Sequence, residues 1–188
     1  MRKIFKIILI LFAILIIVGV VLAGLVLLDV PAYTATGVQT FAPTGASVGN
    51  ALVVYDPGFT GAAKSVAEKV ALNLQSNGYT VVFAGIKSSA AGITDGYSVI
   101  VAGGPIYAGG PTSSVKDFLS SIDYTIDAKV GVFGSGSGAQ EQADIDQIRS
   151  AIAGLPNGDA LSDAVVVKIG SNEDINLRTF DFAIELIE

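Results

Sequence analysis

The sequence predicts an α/β domain built on a doubly wound, five-stranded parallel sheet, carried behind one N-terminal transmembrane helix. Three observations lead there. Between Ala51 and Glu188, five short apolar, β-branched runs alternate with segments whose apolar residues recur at helical spacing. The runs are apolar on both faces, as strands of a parallel sheet covered by helices on both sides must be. And the chain is too apolar for an ordinary soluble domain, at 51% hydrophobic and only 15% charged with a mean hydropathy of +0.63, where about 25% charged is usual.

The apolar excess sits at the N-terminus. Ile7 to Leu28 holds no charge, amide or hydroxyl, and at about 1.5 Å per helical residue it is long enough for a hydrocarbon core of roughly 30 Å. A cleaved secretory signal usually has an apolar region of only about 7–15 residues, so the length favours an uncleaved signal anchor over residues 1–28, crossing the lipid bilayer through residues 7–28. Arg2, Lys3 and Lys6 precede it and Asp29 follows it, whereas the next basic residue is Lys64. The positive-inside rule then keeps the N-terminus in the cytoplasm and puts the rest of a single-pass protein on the outer face of the cell membrane. Without the three anchor cations, 8 basic residues face 17 acidic ones. So acidic a surface argues against nucleic acid as a partner, because such binding rests on basic contacts to phosphates.

Residues 29–50 are rich in Pro, Gly, Ala, Ser and Thr and show neither helical nor strand periodicity, so they are expected to form a flexible linker. The domain then covers 51–188. Its first strand is Ala51–Tyr55, followed by a helix with Ala63, Val66, Ala67, Val70, Ala71 and Leu74 on one face and Gly78 beyond its end. The second and third strands are Tyr79–Ala84 and Tyr97–Gly103. A helix with Val115, Phe118, Leu119 and Ile122 follows, entered through Thr112, Ser113 and Ser114, each a possible cap. The fourth strand is Lys129–Phe133, and a helix with Ile145, Ile148, Ile152 and Leu155 leads to the fifth, Ala164–Ile169. A terminal helix is expected to bury Leu177, Phe180, Ile184 and Ile187.

Absent residues exclude several chemistries. With no His and no Cys, the chain has no Ser-His-Asp triad, no cysteine nucleophile, no disulfide and no zinc or iron-sulfur site of the usual kind, and neither a catalytic residue nor a metal ligand is assigned. In a doubly wound sheet, ligands bind at the carboxyl ends of the strands, so the loops after strands one, three and four carry the candidates. The first, Asp56-Pro57-Gly58-Phe59-Thr60-Gly61-Ala62-Ala63-Lys64, is a Gly-containing turn running into a helix N-terminus, where free N–H groups and the helix dipole attract phosphate. It is not a Walker A loop, since Lys and Ser/Thr are missing after Gly61. The second runs from Gly103 to Pro111 and offers Pro105, Ile106 and Tyr107 followed by Ala108, Gly109 and Gly110, a shaped loop able to lay an aromatic ring on a flat ligand. The third is Gly134-Ser135-Gly136-Ser137-Gly138-Ala139. It fits G-x-G-x-x-[GA] formally, but the dinucleotide fingerprint belongs after the first strand.

Taken together, the three loops resemble those of the flavodoxin-like family over nearly all of 51–188. Gly58-Phe59-Thr60-Gly61-Ala62-Ala63 matches the family's [ST]-x-T-G-x-[ST] at its central Thr-Gly. VIVAGGPIYAGGP resembles its G-x-P-x-[YW]-x-G stretch, and VGVFGSGSG its fourth strand and following loop. The resemblance implies a strand order of 2-1-3-4-5, an FMN cofactor and electron transfer with a redox partner protein. It places the FMN phosphate on Gly58 to Ala63 and the isoalloxazine ring between the other two loops. Tyr107 would cover one ring face, the backbone of Ala108–Gly110 would lie near the reactive nitrogen, and Ser135 and Ser137 would line the pyrimidine end. Gly58 and Ala63 stand where the family has hydroxyls, and the Gly134–Gly138 loop has no aromatic. These departures leave a second function in view, an extracytoplasmic binding or scaffold module that keeps the fold without the cofactor. A two-component receiver domain would share the strand order, but strand three ends in Gly103-Gly104 where that family carries its phosphoacceptor carboxylate.

Overall fold

The computed structural model describes residues 2–122 and 128–188. It divides into two units, residues 1–30 and 31–188. The first is helix α1 (Arg2–Leu27), in which Ile4–Val26 has a mean hydropathy of 3.4 and no buried residue. Such a helix is long and apolar enough to cross a membrane.

The second unit is built on strands β1 (Val38–Phe41), β2 (Gly49–Tyr55), β3 (Tyr79–Gly85), β4 (Val99–Tyr107), β5 (Gly110–Pro111), β6 (Lys129–Gly136) and β7 (Val165–Gly170). Between and after them run helices α2 (Ala62–Ser76), α3 (Ser113–Ser121), α4 (Gln142–Ala153) and α5 (Ile175–Ile187). The parallel strands lie in the order β3-β2-β4-β6-β7, which is the expected 2-1-3-4-5. Ala51 pairs with Val81 on one side and Val99 on the other, and Leu52, Val53 and Val54 of this central strand are fully buried. Gly131 of β6 faces Phe182 and Leu186 of α5, whereas Gly134, an odd number of residues on, faces Ile148 of α4. The alternation of side chains along a strand therefore puts α5 and α4 on opposite faces of the sheet. Helix α2 lies beside α5, tied through Lys69 Nζ to Asn176 Oδ1 (2.6 Å) and Asn73 Nδ2 to Thr179 Oγ1 (3.2 Å).

The segment read as a flexible linker, 29–50, is in large part ordered. A 3₁₀ turn at Val30–Thr34 buries Pro31 and Ala32, and β1 adds an antiparallel edge strand to β3, Val38 opposite Ala84 and Phe41 opposite Val81. The folded unit thus begins at Pro31 rather than Ala51. An edge strand needs its backbone hydrogen bonds more than an apolar face, and the side chains of Val38, Gln39 and Thr40 are exposed, so no alternation marked it. A second correction concerns α5. It buries Thr179, Phe182, Ala183 and Leu186, while Leu177 and Phe180, two residues of the expected stripe, are 57% and 48% exposed.

Candidate functional site

The expected loops are shorter than the sequence implied, because β4 continues through Gly103, Gly104 and Pro105 to Tyr107 and β6 through Ser135 to Gly136. Three chain reversals remain at the carboxyl end of the sheet. The first is organised by Asp56, fully buried at the end of β2. Its Oδ1 accepts the Gly58 N–H (2.9 Å), closing an Asx turn, and its Oδ2 accepts the hydroxyls of Thr112 (2.7 Å) and Ser114 (3.0 Å). One carboxylate thereby fastens the first loop to the start of α3. The hydroxyl of Thr112, a residue expected as a cap, is turned to Asp56 instead of to its own helix.

Gly58 has φ +60°, and a Cβ there would stand 2.8 Å from Pro105 Cγ and 3.2 Å from the Tyr107 hydroxyl. The close approach brings the loop against β4, where the Tyr107 hydroxyl accepts the Phe59 N–H (3.4 Å) and the two rings lie 6.4 Å apart at 51°. Beyond Tyr107, Ala108 (φ 49°) and Gly109 (φ 86°) form the two-residue turn into β5. Both angles are positive, as a type I′ hairpin turn requires. Gly109 is packed against Gln147 of α4.

The third reversal, after β6, bends over the end of β7. Gly138 has φ 75°, and its carbonyl lies so close to Gly170 that a side chain there has no room. Lys168, 8% exposed in β7, donates to the Ala139 carbonyl (3.2 Å) and pairs with Asp144 (2.8 Å). That pairing, with the Glu141 backbone N–H, holds the Asp144 carboxyl below its usual range. Along the open edge of β7, Gln140 Oε1 accepts the Lys168 N–H and Glu173 Oε2 the Gly170 N–H, so side chains replace the missing neighbouring strand.

A cavity of about 610 Å³ opens among these reversals. Of the residues predicted from sequence, Phe59, Thr60, Ala62, Pro105, Ile106, Tyr107, Ser135, Gly136 and Ser137 line it. The others stand behind or beside it. Gly58 backs onto Pro105, Gly134 meets Ile106, Gly138 meets Gly170, and Ala108, Gly109 and Gly110 form the hairpin tip. Gly61 takes the N-cap position of α2 with φ 72°, and Ala63 is turned into the core, 1% exposed. A hydroxyl at 63 would be buried, so the exposed alanine of the loop is Ala62. Ser65 and Val66 of α2, and Ile169, Gly170, Ser171 and Ile175 from the end of β7 and the start of α5, complete the wall. Sequence reasoning missed this last group. The rule that ligands sit at strand carboxyl ends applied to the fifth strand as well, and Gly170-Ser171 was its signal.

The helix N-termini at this end differ in charge. Asp56 serves α3, the Glu141/Asp144 capping box serves α4, and Asp174 accepts the Asn176 and Leu177 N–H groups of α5. Helix α2 begins at Gly61 with no side-chain cap and no acidic residue in its first turn. Only the Ala62 N–H finds a local acceptor, Thr60 Oγ1 at 3.3 Å, and by helix geometry those of Ala63 and Lys64 lack an intrahelical one. The cavity therefore has an electropositive corner beside a largely apolar wall, the combination that suits a flat ligand carrying an anion.

No family model matches the sequence, and no curated protein does. Solved structures do match. A short-chain flavodoxin associated with a bacterial microcompartment superposes with a TM-score of 0.54 at 23% identity, over 73% of this chain and 96% of that one. A flavodoxin from the domain Archaea gives 0.50 at 14% identity, over 74% and 99%. The rubredoxin:oxygen oxidoreductase of Desulfovibrio gigas gives 0.50 at 15%, over 75% of this chain but 36% of that one. At such identities the likeness is one of fold, and the second unit has a flavodoxin-like fold over the part these structures cover.

Proposed function

We propose that this flavodoxin-like domain binds FMN and passes electrons, held to the cell membrane by α1 with its N-terminus in the cytoplasm. The observation that carries the reading is the convergence of all three sequence-predicted loops on one cavity, with the uncapped start of α2 at its corner. The cavity volume lies within the roughly 300–1,000 Å³ of small-molecule sites. The Ala63 and Lys64 N–H groups and the Thr60 and Ser65 hydroxyls are the donors for a phosphate. Tyr107 and Phe59 supply aromatic surface for a flat ring, and Ser135 and Ser137 hydrogen-bonding groups for its polar edge. FMN, when bound, supplies the redox chemistry. The chain's own residues hold it, shield it and set its surroundings, and a strongly acidic domain disfavours added negative charge at the site.

The scaffold alternative has one specific observation in its favour: the Gly134–Gly138 segment carries no aromatic and is drawn down onto β7 by Lys168 and Gly170. Titration of the detergent-solubilised full chain with FMN and with riboflavin separates the two. The proposed function predicts saturable binding with FMN well ahead of riboflavin, because the α2 corner recognises the phosphate. Uptake of neither at millimolar concentration favours the scaffold.

A further inference from the structure

We infer that the cavity contains, deeper than the seat proposed for FMN, a separate chamber for a neutral, largely apolar ring bearing one hydrogen-bonding group. The inference goes beyond the FMN reading and stands without it. Its first ground is a division in the cavity's walls. Pro105, Ser135 and Ile169 lie abreast on three neighbouring strands, Ser135 pairing with Pro105 on one side and with Ile169 on the other. Their side chains share the face of the sheet that α5 covers, because Ser135 stands an even number of residues after Gly131, which meets Phe182. Val66 of α2 and Ile175, the first residue of α5, stand over this floor. One turn further along both helices, Lys69 Nζ is tied to Asn176 Oδ1 (2.6 Å), so the space between their starts is closed at the back. The aromatic rings belong to the outer end: Tyr107 stands two residues beyond Pro105 on β4, and Phe59 is 50% exposed.

The second ground is the chemistry of that inner end. Among the described residues, no charged side chain lines the cavity. Val66, Ile169 and Ile175 offer only hydrocarbon, and the first two are each 2% exposed. Ser135 is the exception. It is 5% exposed and lines the cavity, and its hydroxyl has no hydrogen-bond partner among the described residues. A buried hydroxyl left unpaired costs free energy, which a ligand group placed against it recovers. Ser137, two residues on, is exposed, so it is the serine placed for a flavin's polar edge, and Ser135 serves the chamber.

Walls of this kind define the ligand. An ionised group would give up its hydration to hydrocarbon with no opposite charge in return. A neutral ring fills the aliphatic space, and one hydroxyl or carbonyl on it meets Ser135, which can donate or accept. Size permits a second occupant. An apolar cavity of about 150 Å³ is enough for benzene, and the whole cavity measures about 610 Å³. A ring of that size in the chamber leaves the electropositive corner at α2 and the aromatic rim to another molecule.

The test uses phenol as the ring with a hydrogen-bonding group and benzene as the ring without one. The full chain, labelled with carbon-13 in its Ile and Val methyl groups, is held in lipid discs, because detergent tails would compete for an apolar chamber. Both probes should shift the methyl signals of Val66, Ile169 and Ile175 saturably, phenol at lower concentration, and saturating FMN should leave the phenol shifts in place. Ser135→Ala should weaken phenol by about 2- to 12-fold, the worth of one hydrogen bond, without weakening benzene. Ile175→Trp, which fills the chamber from its α5 side, should abolish the binding of both. Should Ser135→Ala not fold, the preference of the wild type for phenol over benzene carries the same test. Absence of saturable shifts overturns the inference, as does equal phenol affinity in wild type and Ser135→Ala. Displacement of phenol by FMN overturns it too and leaves the FMN reading standing, since the chamber is then part of FMN's own seat. Phenol binding by a chain that takes up no FMN supports the chamber and sinks the FMN reading.

Discussion

The two positive-φ glycines of the first loop predict costs of different size for a single added methyl group. At Gly61 (φ 72°) a Cβ would meet nothing within 4 Å, so Gly61→Ala carries only the left-handed conformational cost, about 1–2 kcal/mol. At Gly58 (φ 60°) the same atom would stand 2.8 Å and 3.1 Å from the Pro105 ring and 3.2 Å from the Tyr107 hydroxyl. Overpacking of about 1–3 kcal/mol then adds to the same strain, for a total of roughly 2–5 kcal/mol. Urea unfolding of the two variants reads both numbers. The contact with Pro105 is tested by a double-mutant cycle: Pro105→Ala should recover about 1 kcal/mol or more in the Gly58→Ala background relative to its effect alone. Equal costs at the two glycines, or no coupling between 58 and 105, would refute the packing argument that joins the first loop to β4.

Further outcomes follow from other contacts. Tyr107→Ala should weaken FMN binding by roughly 1–3 kcal/mol, the worth of stacking a planar base on an aromatic ring. Tyr107→Phe keeps the ring and removes the hydroxyl that accepts the Phe59 N–H at 3.4 Å, so flavin titration should find it closer to wild type than Tyr107→Ala. The Asp144–Lys168 pair should make stability pH-dependent. The Asp144 carboxyl titrates below its ordinary 3.8 in the folded state, so its contribution is full above that value and is lost as pH falls through the lower folded value. The difference in unfolding midpoint between wild type and Asp144→Asn should therefore be constant near neutrality and shrink progressively as pH falls below about 4; a difference that grows or stays constant on acidification contradicts the pairing. A soluble domain starting at Pro31 should be monomeric, whereas one starting at Ala51 exposes the β3 edge and should aggregate or lose stability in light scattering and thermal melts.

The parallel strands were legible because each is apolar on both faces, and that pattern has few other solutions in a chain of this length. Strand β1 was not, since Val38-Gln39-Thr40-Phe41 contributes backbone hydrogen bonds at an edge and leaves most of its side chains in water. The rotation of α5 was misread because Leu177 and Phe180 are as apolar as the residues it buries. The periodicity of the helix allowed either face, and the choice was made by packing against α2 through Asn176 and Thr179. At the site, the loops were placed by topology, and the helical stripe that begins at Ala63 already pointed that residue into the core, against the family pattern, which has a hydroxyl there. The role of Asp56 also needed the fold, because its partners Thr112 and Ser114 lie 56 and 58 residues away.

The central claim, FMN in the cavity with its phosphate at the start of α2, is tested most directly by amide chemical-shift mapping of the isotope-labelled chain during FMN addition. The account predicts saturable shifts concentrated in Phe59–Ser65, Ile106–Gly110 and Ser135–Gly138, with the phosphate-dependent part, judged against riboflavin, confined to the start of α2. Shifts gathered instead around the smaller cavity of about 250 Å³ lined by Arg149, Gly158 and Ser162, or none at millimolar FMN, would contradict it.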